Sequence, residues 1–139
     1  MKSKLTLAFF TVLLVMFATR LFAQKNPFAG RWQLAGIPPD AGYSFHKTFD
    51  EKGNFFVTRT VGTNTVKTHY GKYLIKDGSI YLEIISTETD PSRSYVAGQT
   101  TTIEYKFSED QKTLTVKGLA VNGNSDWYEE WKKIDVPSV

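Results

Sequence analysis

The sequence predicts an all-β fold, an eight-stranded antiparallel up-and-down barrel, and three observations carry that expectation. Beyond residue 23 no stretch keeps apolar residues at the three- and four-residue spacing of a helix. Runs of alternating character, rich in Tyr, Phe, Val, Ile and Thr, recur instead. Turn residues separate these runs at hairpin distances, so consecutive strands are expected to pair antiparallel.

Residues 1–23 stand apart from this pattern. Met1 to Lys4 is short and positive, Leu5 to Phe17 is apolar, and Ala18 to Ala23 contains small residues; together they predict a secretory signal peptide cleaved near Ala23 and Gln24. A membrane anchor would need about 20 apolar residues, and this shorter run is interrupted by Thr6 and Thr11. Lys2, Lys4 and Arg20 are the charges of this segment, and without them basic and acidic residues balance at 14 each. The mature chain, 24–139, is therefore expected to be near neutral and exported to the periplasm or beyond the cell, with no stable membrane anchor. That balance argues against nucleic acid, whose phosphates demand a basic face. There is no cysteine, hence no disulfide framework and no lipid-modified N-terminal Cys. Packing alone must hold one domain together, and an aromatic content of 14% supplies the material for it.

In chain order the strands are expected near Gly30 to Ala35, Tyr43 to Asp50, Asn54 to Val61, Val66 to Ile75, Ser79 to Ser86, Thr100 to Phe107, Thr113 to Val121 and Asp126 to Ile134. Asp77-Gly78 predicts a two-residue type I′ turn. Glu51-Lys52-Gly53, Gly62-Thr63-Asn64, Glu109 to Lys112 and Asn122-Gly123-Asn124 predict slightly longer hairpin loops. Pro38-Pro39 and Asp90-Pro91 mark Gly36 to Gly42 and Thr87 to Gly98 as irregular, the second long enough to cover an opening. Eight such strands leave two sheet edges, which closure into a barrel removes. A sandwich is the competing arrangement and needs longer crossovers than this chain offers elsewhere.

Asn26-Pro27-Phe28-Ala29-Gly30-Arg31-Trp32 resembles the opening of lipocalin-like proteins, where Gly-x-Trp starts the first strand. With Phe49 to Phe55, Gly71 to Ile75, Ser79 to Glu83 and Tyr128 to Lys133 added, the chain is similar to the small exported bacterial lipocalin-like domains of the DUF4488 group. The resemblance implies an eight-stranded barrel with an interior pocket, a Trp32 that plugs the closed end, and Lys133 or Lys132 lying across that indole. It implies no particular substrate.

No sequence motif names a reaction or a cofactor. His46 and His69 sit in no metal-binding pattern, there is no Gly-x-Ser-x-Gly elbow, and Glu129 and Glu130, as strand neighbours, point to opposite faces. Parity is the most useful lead. Trp127, Glu129 and Trp131 share a face, and two indoles mark it as the inner one, which turns Glu129 inward. An inward carboxylate needs a partner such as Arg59, Tyr81, Tyr105 or a ligand cation. On the fifth strand parity leaves two options: Ile80, Leu82 and Ile84 inside, or Tyr81, Glu83 and Ile85 inside as the resemblance would have it. The candidate ligand-binding set is Arg59, Tyr81, Glu83, Tyr105, Glu129 and Trp131. The leading expectation is a non-enzymatic barrel that binds a small hydrophobic or amphipathic ligand. The alternatives are a filled barrel that contacts an envelope protein or glycan, with Tyr95 or Trp127 exposed, and a small hydrolase or isomerase that uses Glu129 with a histidine.

Overall fold

A computed structural model describes residues 26–89, 97–118 and 127–135. Eight strands run in sequence order: β1 Gly30–Leu34, β2 Tyr43–Phe49, β3 Asn54–Val61, β4 Asn64–Ile75, β5 Ile80–Ile85, β6 Thr100–Phe107, β7 Thr113–Gly118 and β8 Trp127–Ile134. Each pairs antiparallel with the next, and β1 pairs with β8 from Arg31↔Ile134 to Leu34↔Trp131, so the sheet closes on itself. The sandwich is thereby excluded. The proposed signal segment, Tyr95, most of the Asp90-Pro91 loop and the Asn122-Gly123-Asn124 turn lie outside the described residues.

Two turns differ from expectation. Neither Asp77 nor Gly78 adopts positive φ, so the Asp-Gly hairpin is not type I′. Instead the Asp77 carboxylate accepts hydrogen bonds from the Ser79 and Ile80 backbone N–H groups, each at 2.8 Å, and from the Ser79 hydroxyl at 3.0 Å. A side chain that satisfies three donors stabilises a wider loop in place of the tight one. The two-residue hairpin is at Gly62-Thr63, where Val61 pairs directly with Asn64 and Gly62 takes φ 57°. Between β1 and β2 the Pro-rich segment contains one 3-10 turn, Pro39–Ala41.

One end of the barrel is packed with rings. Phe28, just before β1, is fully buried, and its ring centroid lies 4.8–5.8 Å from those of Phe49, Tyr73, Tyr81, Tyr105 and Phe107. All five contacts are edge-on or tilted, the arrangement that aromatic quadrupoles favour. The fully buried Trp32 donates its indole N–H to the Phe28 carbonyl at 2.8 Å, which fixes the entering segment to the first strand. Lys133 Nζ sits 5.0 Å from the Trp32 ring and donates to the Pro27 carbonyl at 3.4 Å. Of the two lysines the resemblance offered, Lys133 is the one against the indole; Lys132 faces out and pairs with Glu130 at 2.8 Å. Gly30 has φ 129°, and a Cβ there would meet Lys133 Cε at 3.0 Å, so glycine answers both to the backbone and to the lysine stem.

Phe28 thus carries more of the closed end than its place outside any strand would indicate. Phe28→Ala is expected to lower unfolding stability by about 3–5 kcal/mol, the usual cost of emptying a buried aromatic site. Urea unfolding of Phe28→Ala and Phe28→Leu checks this: the leucine variant should retain part of the loss, and a cost below about 1 kcal/mol for alanine would refute the packing role.

Candidate functional site

The opposite end is hollow. A cavity of about 470 Å³ is bounded by the inner faces of all strands but β7, among them Phe45, Lys47, Glu83, Thr101, Glu129 and Trp131. It lies where β1, β3 and β5 end and β2, β4, β6 and β8 begin. On β5 the structure decides the parity: Tyr81, Glu83 and Ile85 are buried inside, whereas Ile84 on the other face is exposed. The apolar appearance of Ile80, Leu82 and Ile84 belongs to the outer surface.

The floor of the cavity is a buried ion pair. Lys47 Nζ donates to Glu83 Oε1 at 2.6 Å, with the two side chains 5% and 6% exposed. Tyr81 donates its hydroxyl to the same oxygen at 2.9 Å, and its own pKa is pushed well above the usual phenol value by burial and then by the Glu83 charge. The ammonium also lies 5.4–5.7 Å from the rings of Phe49, Phe55 and Trp131. Ion pair, phenol and ring faces together offset a desolvation penalty of several kcal/mol per ion, which the pair's own attraction would not reliably cover.

His69 faces this interior in alternation with Tyr73, and a bulge precedes it on β4. Val57 pairs with His69 and Thr58 with Lys67, so Thr68 is the extra residue on β4. Its hydroxyl donates to the Val57 carbonyl at 3.2 Å and lies 3.1 Å from His69 Nδ1. With the hydroxyl proton directed at the carbonyl, Nδ1 carries the proton and donates to Thr68 Oγ1. Burial, and then the Lys47 charge, lower the His69 pKa to about 3, so the ring is neutral at physiological pH. His46 faces outward on β2, and its pKa too is lowered, by burial and then by Arg31. Among the described residues its Nδ1 has no hydrogen-bond partner.

Glu129 points inward beside the cavity, as parity indicated, and Trp131 Nε1 donates to its Oε2 at 2.9 Å. The partner is therefore the indole two residues along the same strand; none of Arg59, Tyr81 and Tyr105 bonds to it. Trp127 lines the mouth and is held by close approach, because a Cβ on Gly118 would lie 2.1 Å from its indole.

The six candidate residues thus separate by position. Glu83, Glu129 and Trp131 line the cavity, and Tyr81 lies beneath it, bonded to Glu83. Tyr105 belongs to the ring-packed end, where its hydroxyl donates to the Asp77 carbonyl at 2.9 Å. Arg59 is exposed on β3, with its guanidinium 5.5 and 5.9 Å from the Tyr43 and Phe45 rings. Sequence reasoning missed Lys47 and His69 as residues of the cavity lining. Alternation with Phe45 and Phe49 was the available signal for Lys47, and alternation with Tyr73 was the available signal for His69. Among the described residues no group of three or more acidic or histidine side chains could hold a metal ion.

Residues 28–139 match the model of a family described as a domain of unknown function, DUF4488. No curated protein matches the chain.

The buried pair and the histidine each make a prediction. Glu83→Ala leaves a buried ammonium unpaired and should cost about 3–5 kcal/mol, whereas Lys47→Met, Tyr81→Phe and Glu83→Leu combined should recover most of it. Urea titration of the four single variants and the triple variant decides the point; a triple variant as weak as Glu83→Ala would contradict it. For His69 the folded pKa lies below the unfolded one, so the unfolded chain takes up the proton first as pH falls. Stability should therefore decline between pH 6.5 and about 3. His69→Asn should flatten the upper part of that window, and an unchanged slope in urea midpoints between pH 6.5 and 4.5 would count against it.

Proposed function

The chain belongs to the DUF4488 family, and from that premise we propose that it is an exported, non-enzymatic lipocalin-like barrel that holds one small, partly apolar ligand in its interior. The observation that carries this reading is the division of the barrel. One end is filled by Phe28 and its surrounding rings, while the other keeps about 470 Å³ of space lined by apolar and polar side chains in similar measure. That size is usual for a small-molecule site, and the mixed lining suits a ligand that is only partly apolar. A ligand there would meet Phe45, Val57 and Ile85 as walls, Trp127 at the entrance, and Lys47, Glu83 and Glu129 as polar anchors. Export rests on the N-terminal segment of the sequence. Catalysis by Glu129 with a histidine is disfavoured because His69, with a pKa of about 3, is a poor proton acceptor at neutral pH.

One feature favours a second reading, an interaction module. Leu74 is 51% and Ile84 38% exposed on the outer face of β4 and β5, an apolar stripe on the outside of the barrel. The two readings differ in where a substitution acts. Protein purified from its own host should carry a bound small molecule in native mass spectrometry, and Thr101→Trp, which fills the cavity from β6, should lose it while Leu74→Lys keeps it. Host-purified wild type that shows the bare chain mass alone would overturn the binding role.

A further inference from the structure

The charges of the cavity identify the class of ligand, an inference that rests on the interior-binding reading above. Lys47 and Glu83 cancel in direct contact at 2.6 Å, and Tyr81 supplies a further donor to the same carboxylate oxygen. His69 is held neutral. Glu129 is what remains: a carboxylate facing the cavity whose recorded hydrogen bond, among the described residues, comes from the uncharged Trp131 N–H. Among the described residues the cavity wall therefore carries one net negative charge, set among both polar and apolar side chains. A carboxylate so placed gains most from a cation that supplies both the missing charge and the missing hydrogen bonds.

We propose that the interior takes a monocationic, apolar-bodied amine, with its ammonium on Glu129 and its hydrocarbon or aromatic body against the inner walls. The neighbouring rings favour this orientation. Trp127 and Trp131 stand two residues to either side of Glu129 on the same face of β8, and indole faces attract a cation more strongly than other aromatic side chains do. Phe45, Val57 and Ile85, on β2, β3 and β5, line other parts of the wall and leave an apolar surface for the body. Lys47 does not oppose the ammonium, because its charge is spent on Glu83 and its Nζ is enclosed by three rings. Arg59 lies three strands round the barrel from β8, exposed over Tyr43 and Phe45, and it does not line the cavity. An anionic ligand would meet Glu129 as a repulsion and would have to break the Lys47 pair to find a counter-charge.

Three isosteric probes test the assignment: 4-phenylbutylammonium, 4-phenylbutanol and 4-phenylbutanoate, titrated into the full-length protein at neutral pH with tryptophan fluorescence and NMR shifts as readouts. The ammonium should bind about tenfold or more tighter than the alcohol, and the carboxylate weakest of the three. Glu129→Gln keeps an acceptor for the Trp131 N–H and should weaken the ammonium by about tenfold, with the alcohol within about twofold of wild type. Equal binding of ammonium and alcohol, a preference for the carboxylate, or an ammonium preference that survives Glu129→Gln overturns the amine assignment. In each of those outcomes a bound alcohol leaves the cavity-binding role standing. Failure of all three probes in both readouts removes the two together.

Discussion

Closing β1 onto β8 sends alternate side chains from all eight strands into a single interior, and everything else in the molecule depends on how that interior is divided. An eight-stranded barrel is about as wide as a filling of side chains or one small ligand requires, so the choice between core and pocket lies with individual residues. At one end Phe28 enters from outside the strands and takes the centre, with five rings around it. At the other end no segment among the described residues plays that part, and they leave a cavity of about 470 Å³. Stability and cavity are thereby separated along the barrel axis.

The Lys47–Glu83 pair lies where the two halves meet. Its ammonium touches Phe49 and Phe55 of the packed half and Trp131 of the cavity wall, and its carboxylate takes the hydroxyl of Tyr81, itself packed on Phe28. Hydrocarbon of similar volume would serve the core as well or better, since a buried ion pair seldom stabilises more than the apolar side chains it replaces. What the pair adds is polarity with no net charge, fixed at a set depth below the opening. Its field also reaches His69, whose pKa is depressed first by burial and then by Lys47, and the bulge at Thr68 holds that ring in the same interior.

Much of this fold was legible because strand alternation and turn residues are local signals. β3 and β6 fall on their expected bounds, as do the start of β7 and the end of β8, whose other expected ends lie outside the described residues; β1, β2, β4 and β5 differ by one or two residues at one or both ends. The turn at Asp77-Gly78 was not legible in type, because a carboxylate that accepts three hydrogen bonds competes with the geometry that the dipeptide otherwise favours. Parity read Trp127, Glu129 and Trp131 correctly, since two large indoles outweigh one acid. It left β5 undecided for the reason that matters most to the site. A barrel with polar residues inside and apolar side chains on its outer face presents the reverse of the usual pattern; Leu74 and Ile84 outside with Glu83 inside is that case. Arg59 and Tyr105 were drawn into the candidate set as partners for Glu129, but height along the barrel, which alternation does not report, places one at the exposed rim and the other among the rings.

Height and parity together explain why Glu129 differs from the other inward acid. Both face the interior, yet Glu83 lies at the level where β2 presents Lys47, whereas Glu129 lies higher, flanked along its own strand by indoles. A cation on the neighbouring strands at that level would have closed the account with a second internal pair. The adjacent strand positions are instead Val116 on β7, fully buried and apolar, and Leu34 on β1, which pairs with Trp131. The wall around Glu129 thus supplies ring faces and hydrocarbon, and its carboxylate is satisfied by a neutral donor on one oxygen. Half-buried and without a counter-charge among the described residues, that carboxylate is best matched by a positively charged guest with an apolar body.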